Sequence, residues 1–400
     1  MKRDSALLDG AAGGYVAIMG YTAPDEGVDA AAGGLIAPLS FEAAVAAIRG
    51  GLNQYPPGPG MPVLREAIAA KVAQLYGAQY DVAHEVTVTA GATQGLLTSI
   101  LCAVHPGDEV IVPAFTFAAT GNAVALTGAT PVFADVDLQT YTLDPQDVRA
   151  KVTERTAAVM PVHLYGHPAR MDELEAICRE HGLQLFEDAA QAHGARWKGR
   201  PVGTFGVWGM FSLYPTKNMT SGEGGMVSVG EADVARRLRL LRNQGMEVQY
   251  RNELVGFNNR MTDIHAAIGR VQLTKVGAWT RRRQEIAARF DAELRGVTVP
   301  TVLEGAEHVY HQYTVRLPEE LAGKRADVLA RLKDEFGVGT GVYYPVPTNE
   351  LPSFGVEADL PNTRVAASTV FSIPVHPSLT DADVTRVVEA VNTVVAEAAA

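Results

Sequence analysis

The chain has 400 residues, 47% hydrophobic and 20% charged, which is enough material for a large buried core and, by length alone, for roughly two to three domains. Its 34 basic and 45 acidic side chains leave a net charge of −11, and this argues against a nucleic-acid or anionic-membrane partner, because either would need a positive surface to gain from counterion release. Lys2 and Arg3 open the chain, but Asp9 and a series of glycines interrupt the apolar residues that follow. No run approaches the ~18 apolar residues of a membrane span, so the cytoplasm is the expected compartment.

In chain order, residues 1 to 44 are rich in Ala and Gly and read as an N-terminal arm. Between about Glu85 and Gly230, short β-rich runs alternate with amphipathic stretches. The runs are EVTVT (Glu85–Thr89), EVIVP (Glu109–Pro113), PVFADV (Pro131–Val136), AAVMPVHL (Ala157–Leu164), LQLFED (Leu183–Asp188), WGMFSL (Trp208–Leu213) and GMVSVG (Gly225–Gly230). ATQGLLTSILCAV and MDELEAICREHG, lying between them, carry apolar residues at helical spacing. Such alternation with near-continuous apolar strands indicates an α/β domain, here residues 45 to 275, with a mostly parallel sheet covered by helices.

ADVARRLRLLRNQG and the span from Met261 to Arg295 read as long helices, and the run Arg281 to Arg283 as a solvated face. The pattern changes beyond about Glu304. HVYHQYTVRL, TGVYYP and FSIPV are strand-like, RADVLARLKDEFG is a helix closed by Gly337, and a last helix starts at Asp381 before an AEAAA end that should fray. Residues 276 to 400 are thus expected to form a helical connection and a smaller α+β domain. Cys102 and Cys178 both occupy helical, apolar contexts suited to reduced core thiols.

The candidate site starts from Lys217. In FSLYPTKNMTSGEGGMV an apolar strand ends, one lysine follows, and a glycine-rich turn comes next, a placement suited to a Schiff base. Asp188 ends another apolar strand in LQLFEDAAQAHGA. Amine and carboxylate together are the working pair of pyridoxal 5'-phosphate chemistry: the amine holds the aldehyde, and the acid keeps the pyridine nitrogen protonated so that the ring accepts electrons. Taken singly, a lysine at a strand end is usually solvated and an Asp after a strand is often an N-cap. A phosphate cradle elsewhere shifts the balance toward chemistry. In VTAGATQGLLTSI, Gly91, Ala92 and Thr93 lie between a strand and a helix start, where free N–H groups and the helix dipole favour an anion. Ser212 could donate a second hydroxyl, and PAFTFAAT offers Phe115 and Phe117 to cover a ring. His163, His193, Tyr214, Tyr343 and Tyr344 are further polar candidates, with ordinary packing as the competing role. No cluster has metal-ligand spacing.

These blocks resemble the DegT/StrS-like family of PLP-dependent sugar aminotransferases, of the aspartate aminotransferase-like fold type I. The likeness runs from about Asp108 to Val388, through DEVIVPAFTFAATGNAV, PVHLYGHPARMDEL, FEDAAQAHGA, FSLYPTKNMTSGEGGMV, GFNNRMTDIHAAIGRVQL, YYPVP and FSIPVHPSLTDADV. The resemblance implies that Lys217 is the Schiff-base lysine, Asp188 the pyridine-nitrogen partner and Phe117 the ring-face aromatic. It puts Gln191 near the ring hydroxyl, Ala92, Thr93 and Ser212 on the phosphate, and Asn258 on the phosphate of the neighbouring subunit, so that a homodimer shares its sites. The first quarter differs: LNQYPPGPGMPVLREAIAAKVAQLYG, followed by EVTVTAGATQGL, is similar to class I/II amino-acid aminotransferases, where the residue matching Tyr55 contacts the cofactor phosphate across the dimer. The implied reaction moves an amino group from an amino acid, glutamate or glutamine, to a keto group of a sugar or other small intermediate. The residues leave open an amino-acid aminotransferase or a PLP-dependent aldolase, decarboxylase or other lyase, and, with less support in an acidic chain, a regulatory protein.

Overall fold

The computed structural model describes residues 38–52, 60–76, 79–82 and 84–400. Tyr55 and the arm up to residue 37 lie outside the described residues. The stretch expected to continue the arm is helical from Pro38 on: α1 (Pro38–Arg49) lies along the long helix α8 (Asp263–Glu293), where Gln272 Nε2 donates to Ser40 Oγ at 3.2 Å.

Seven strands form the main sheet: β1 (Val86–Thr89), β2 (Glu109–Pro113), β3 (Thr130–Ala134), β4 (Thr156–Val159), β5 (Gln184–Asp188), β8 (Trp208–Ser212) and β9 (Gly225–Val229). Their order is β1-β9-β8-β5-β4-β2-β3. Only β9 runs against the others, pairing antiparallel with β1 and β8. The carboxyl ends of β1, β8, β5, β4 and β2 therefore share one edge, where ligands bind in open α/β sheets. Helices α2 (Pro62–Tyr76), α3 (Ala92–Ile100), α4 (Ala119–Ala125), α5 (Pro145–Lys151), α6 (Met171–His181) and α7 (Ala232–Arg242) accompany these strands. Both faces are buried: Leu96, Ile100, Val110, Val112 and Trp208 belong to one core cluster, and Ile111, Val159, Leu174 and Leu185 to another. That two-sided cover explains why these strands read as unbroken apolar runs.

Helix α8 is 31 residues long, capped by the Thr262 hydroxyl, which accepts from His265 N. Residues 275 and 276, the expected domain boundary, fall inside it. Its first half buries Ala266, Leu273 and Val276 with the main-sheet residues Val86, Val88 and Phe211. Its second half buries Ile286, Ala287 and Phe290 with β11 (Tyr313–Arg316), β12 (Val370–Ile373), α9 (Arg325–Phe336) and α11 (Asp381–Ala399). An unbroken helix thus belongs to two cores, which leaves no linker between them. The Arg281 to Arg283 run is not a uniform solvated face. Arg283 is buried and donates to Tyr310 O at 3.0 Å, because it lies three, four and seven residues before Ile286, Ala287 and Phe290, on their stripe.

Three further expectations are corrected. TGVYYP forms no strand; it makes only a bridge from Gly341 to Ser372. In HVYHQYTVRL only Tyr313–Arg316 is a strand, since Val309 N and Gln312 N donate to Gly166 O and Tyr165 O of the larger sheet's loop instead. The C-terminus is helical to Ala399, with Thr380 and Asp383 forming a capping box at the start of α11. Helix α10 (Pro361–Thr369) completes the smaller layer, and β6 (Arg196–Trp197), β7 (Arg200–Pro201) and β10 (Ala306–Glu307) form a small separate sheet.

Candidate active site

A cleft of about 720 Å³ opens at the shared carboxyl edge of the sheet, within the range of sites for small ligands. Gly91, Ala92, Thr93, Phe117, Asp188, Gln191, Ser212 and Lys217 all line it. Eight residues named from the sequence thus meet in one place. A smaller apolar hollow of about 50 Å³, walled by Ile68, Val72 and Phe211, is lined by none of them.

Asp188 ends β5 and is buried. Its carboxylate accepts from Thr120 Oγ1 at 2.9 Å and from Ala190 N at 3.1 Å. Burial raises its pKa, against the downward pulls of those two donors and of Lys217. The result is a carboxylate more basic than a solvated one, suited to pairing with a protonated ring nitrogen. Lys217 sits at the cleft wall, half-buried, where the surrounding protein lowers its amine to about 8 and Asp188 opposes that shift. An amine near that value exchanges its proton readily at neutral pH.

The phosphate end is built from backbone. Gly91 is extended, with φ −164° and ψ 160°, and the first turn of α3 carries no side-chain cap, so its N–H groups are open to an anion. Beneath it β9 approaches closely: a Cβ on Gly225 would stand 2.7 Å from Thr89 Oγ1 and 2.9 Å from Gly91 O. Ser212 Oγ accepts from Tyr214 N at 3.3 Å, which leaves its own proton to donate.

The two phenylalanines separate. Phe115 is fully buried against Tyr141, Tyr165 and Tyr344, whereas Phe117 is 58% exposed in the cleft, with its ring 5.9 Å from that of Tyr344. Gln191 is fixed from both ends, because Oε1 accepts from Tyr165 N at 2.7 Å and Nε2 donates to the Tyr344 hydroxyl at 3.1 Å. Asn258 is exposed and absent from the lining of its own chain's cleft.

Tyr214, Tyr343 and Tyr344 line the cleft. His163 does not. It is a satisfied core histidine, with Nε2 3.1 Å from Glu187 Oε2 and Nδ1 accepting from Ala169 N at 3.0 Å. His193 is buried in the wall of the small apolar hollow, held neutral with its pKa lowered to about 3 by burial and by Lys217. Sequence reasoning missed Thr120, Tyr165, Glu223 and His311. Glu223 lies inside the glycine-rich turn after Lys217, Thr120 ends the PAFTFAAT block and Tyr165 lies in PVHLYGHPARMDEL, but nothing in those blocks marked these residues as facing the cleft.

The family model of the DegT/DnrJ/EryC1/StrS aminotransferases matches residues 66–392. A pleiotropic regulatory protein of Geobacillus stearothermophilus is 40% identical over 296 residues, covering 72% of this chain and 78% of its own. The dTDP-3-amino-3,4,6-trideoxy-alpha-D-glucose transaminase of Streptomyces venezuelae is 40% identical over 324 residues, with coverage of 79% and 84%. The crystal structure of NtdA from Bacillus subtilis with bound cofactor PMP superposes with a TM-score of 0.79 at 26% identity, covering 90% of this chain and 83% of that one. The order of the motif blocks, the shared sheet edge and these matches agree, and the chain is a member of the DegT/DnrJ/EryC1/StrS aminotransferase family, a PLP-dependent aminotransferase.

Proposed function

We propose that the cleft holds pyridoxal 5'-phosphate and transfers an amino group from glutamate or glutamine to a ring ketone of a sugar. The observation that carries this reading is the convergence of Lys217 and Asp188 on one cleft whose far end offers uncapped N–H groups and the Ser212 hydroxyl. Cation, acid and anion cradle fit the aldehyde, ring nitrogen and phosphate of one molecule. When bound, that cofactor supplies an electron sink for the charge left at a carbon that loses a proton.

The protein's own groups do the rest. Lys217 would hold the aldehyde of the cofactor, and its free amine would be the group that carries the proton between the two reacting carbons. Thr120 and Ala190 hold the two Asp188 oxygens in place, and the remaining lone pairs of the carboxylate are open to the ring nitrogen. Phe117 covers one ring face and Gln191 meets the ring hydroxyl, while Thr93 and Ala92 with Ser212 retain the phosphate. Asn258, exposed and not part of its own chain's cleft lining, and Tyr55 would serve the cleft of a second copy, so the working unit is a homodimer. The S. venezuelae relative is named for a nucleotide-linked amino sugar, and that supports a sugar as acceptor.

The test is release of keto acid from glutamate or glutamine by purified, cofactor-loaded protein, followed by amination of a keto sugar. Lys217→Ala should lower both half-reactions at least about a hundredfold. Borohydride reduction and peptide mapping that left Lys217 unlabelled would exclude the role, and turnover of the amino acid without keto-acid release would favour a lyase.

A further inference from the structure

Behind the phosphate end lies Asn259, a residue that no sequence motif marked. It is buried, whereas Asn258 is exposed and Arg260 half-buried, so this extended segment turns one residue inward between two that face outward. The backbone of Asn259 donates to Arg242 O at 3.0 Å and accepts from Ala90 N at 3.1 Å, which joins the end of α7 to the residue after β1. Its side chain crosses to a third element: Nδ2 lies 3.4 Å from Thr98 Oγ1, in the second turn of α3. Thr98 Oγ1 donates its own proton to Gln94 O at 2.6 Å, so it offers Asn259 a lone pair and the amide must present its nitrogen. One residue thus holds both arms of the turn at Gly91, the strand end at Ala90 and the helix at Thr98.

We propose that Asn259 is a positioning residue for the cofactor phosphate: its side chain fixes α3 relative to the end of β1, so that the free N–H groups at the helix start converge on one anion. The inference rests on the reading of Gly91, Ala92 and Thr93 as a phosphate cradle. Convergence is sensitive to that alignment, because a hydrogen bond weakens steeply once the donor leaves the line to its acceptor. Gly91 brings no side chain to the turn, and the helix start has no side-chain cap. Thr89 Oγ1 donates to Gly91 O at 2.9 Å, which steadies the strand side of the turn. Leu96 and Ile100 press α3 into the core, but apolar contact is non-directional and does not set the helix's rotation. The bond from Asn259 to Thr98 is directional, and its loss would leave a buried amide N–H without that acceptor. Asn259 does not line the cleft, so its effect reaches the anion through the backbone it holds.

The experiment compares the affinity of the cofactor-free protein for pyridoxal 5'-phosphate with its affinity for pyridoxal, which keeps the ring and aldehyde but lacks the phosphate, both by absorbance titration. Wild type should prefer the phosphate ester. Asn259→Ala should lower the affinity for pyridoxal 5'-phosphate about tenfold and leave that for pyridoxal within about twofold. Thr98→Val keeps the shape of the threonine but removes the acceptor, and it should reproduce the selective loss. The double variant should be no worse than either single one, since both delete the same bond. Protection of the cofactor-free protein against heat by inorganic phosphate should shrink in the same variants. Equal losses for the two ligands would mean a role in folding alone and would overturn the proposal, as would no loss in either variant or additive losses in the double one. Should Asn259→Ala not fold, Thr98→Val decides by the same comparison. Failure of the underlying reading is separable, since wild type would then bind both ligands equally.

Discussion

Lys217 and Asp188 show how burial sets the chemistry of single side chains. The amine is brought down to about 8 and the acid is raised, both chiefly by desolvation. Each therefore lies nearer to neutral pH than in water. Labelling of Lys217 in the cofactor-free protein should accordingly rise through pH 8 rather than near 10.5, the ordinary lysine value. Asp188 also depends on a donor that no local motif revealed. Thr120→Val keeps the shape of the threonine but removes one hydrogen bond to a buried carboxylate, and it should weaken cofactor binding or kcat about tenfold. Absorbance titration of the apo protein with pyridoxal phosphate checks this, and an unchanged affinity together with unchanged turnover would deny Thr120 its role.

Among the elements, the junction of β1, β9 and the start of α3 bears most directly on the site. It works only while β9 can pass close under the cradle. Gly225→Ala places a methyl within 3.0 Å of Thr89 Oγ1, Gly91 O and Ala92 Cα, so the cradle must shift or the strand must move. The cost is about 1–3 kcal/mol of stability, as for overpacked interiors, and phosphate affinity should fall with it. Thermal unfolding with and without inorganic phosphate separates the two effects. Helix α8 acts on a larger scale, since Met261, Ala266 and Leu273 fix it to the main sheet and Ile286 and Phe290 fix it to the smaller layer. Lys217, after the main-sheet strand β8, and His311, just before β11 of the smaller layer, both line the cleft.

At the scale of the whole molecule, buried neutral histidines couple folding to pH. His167 and His193 are lowered to about 4 and about 3, and His308 and His311 lie well below 6.5, all mainly through burial. Above 6.5 both folded and unfolded forms are neutral and the full stability is present. As pH falls below 6.5 the unfolded chain takes up protons that the folded one refuses, so stability drops until the folded values near 4 and 3 are reached. Each group contributes about 1.4 kcal/mol per pH unit in that window. The urea midpoint should therefore fall steeply between pH 6 and pH 4, and a flat profile there would contradict neutral burial of these rings. Assembly gives a second test at this scale. With the shared sites proposed above, a mixed dimer of Lys217→Ala and Asn258→Ala chains would contain one site with both native residues, so mixing the two variants should recover activity that neither shows alone.

The sequence by itself determined the α/β class and the order of the strands along the chain, and it singled out Lys217, Asp188 and the Gly91 to Thr93 turn, which the fold brings to one cleft, because each depends on local pattern: apolar runs of strand length, a Gly-Ala-Thr turn before a helix, a lone lysine after a strand. Local pattern could not separate Phe115 from Phe117, two residues apart on one loop, which only the family resemblance did, and it misread Arg283 as solvated and TGVYYP as a strand. Those outcomes depend on which neighbours arrive from far along the chain. Only the tertiary structure decided that Thr120 would hold Asp188, that Tyr344 would fix Gln191, and that Asn259 would tie the end of β1 to α3. The physical reason is that hydrogen-bond partners and desolvation belong to places in space, and a sequence carries them only through the fold that brings its distant segments together.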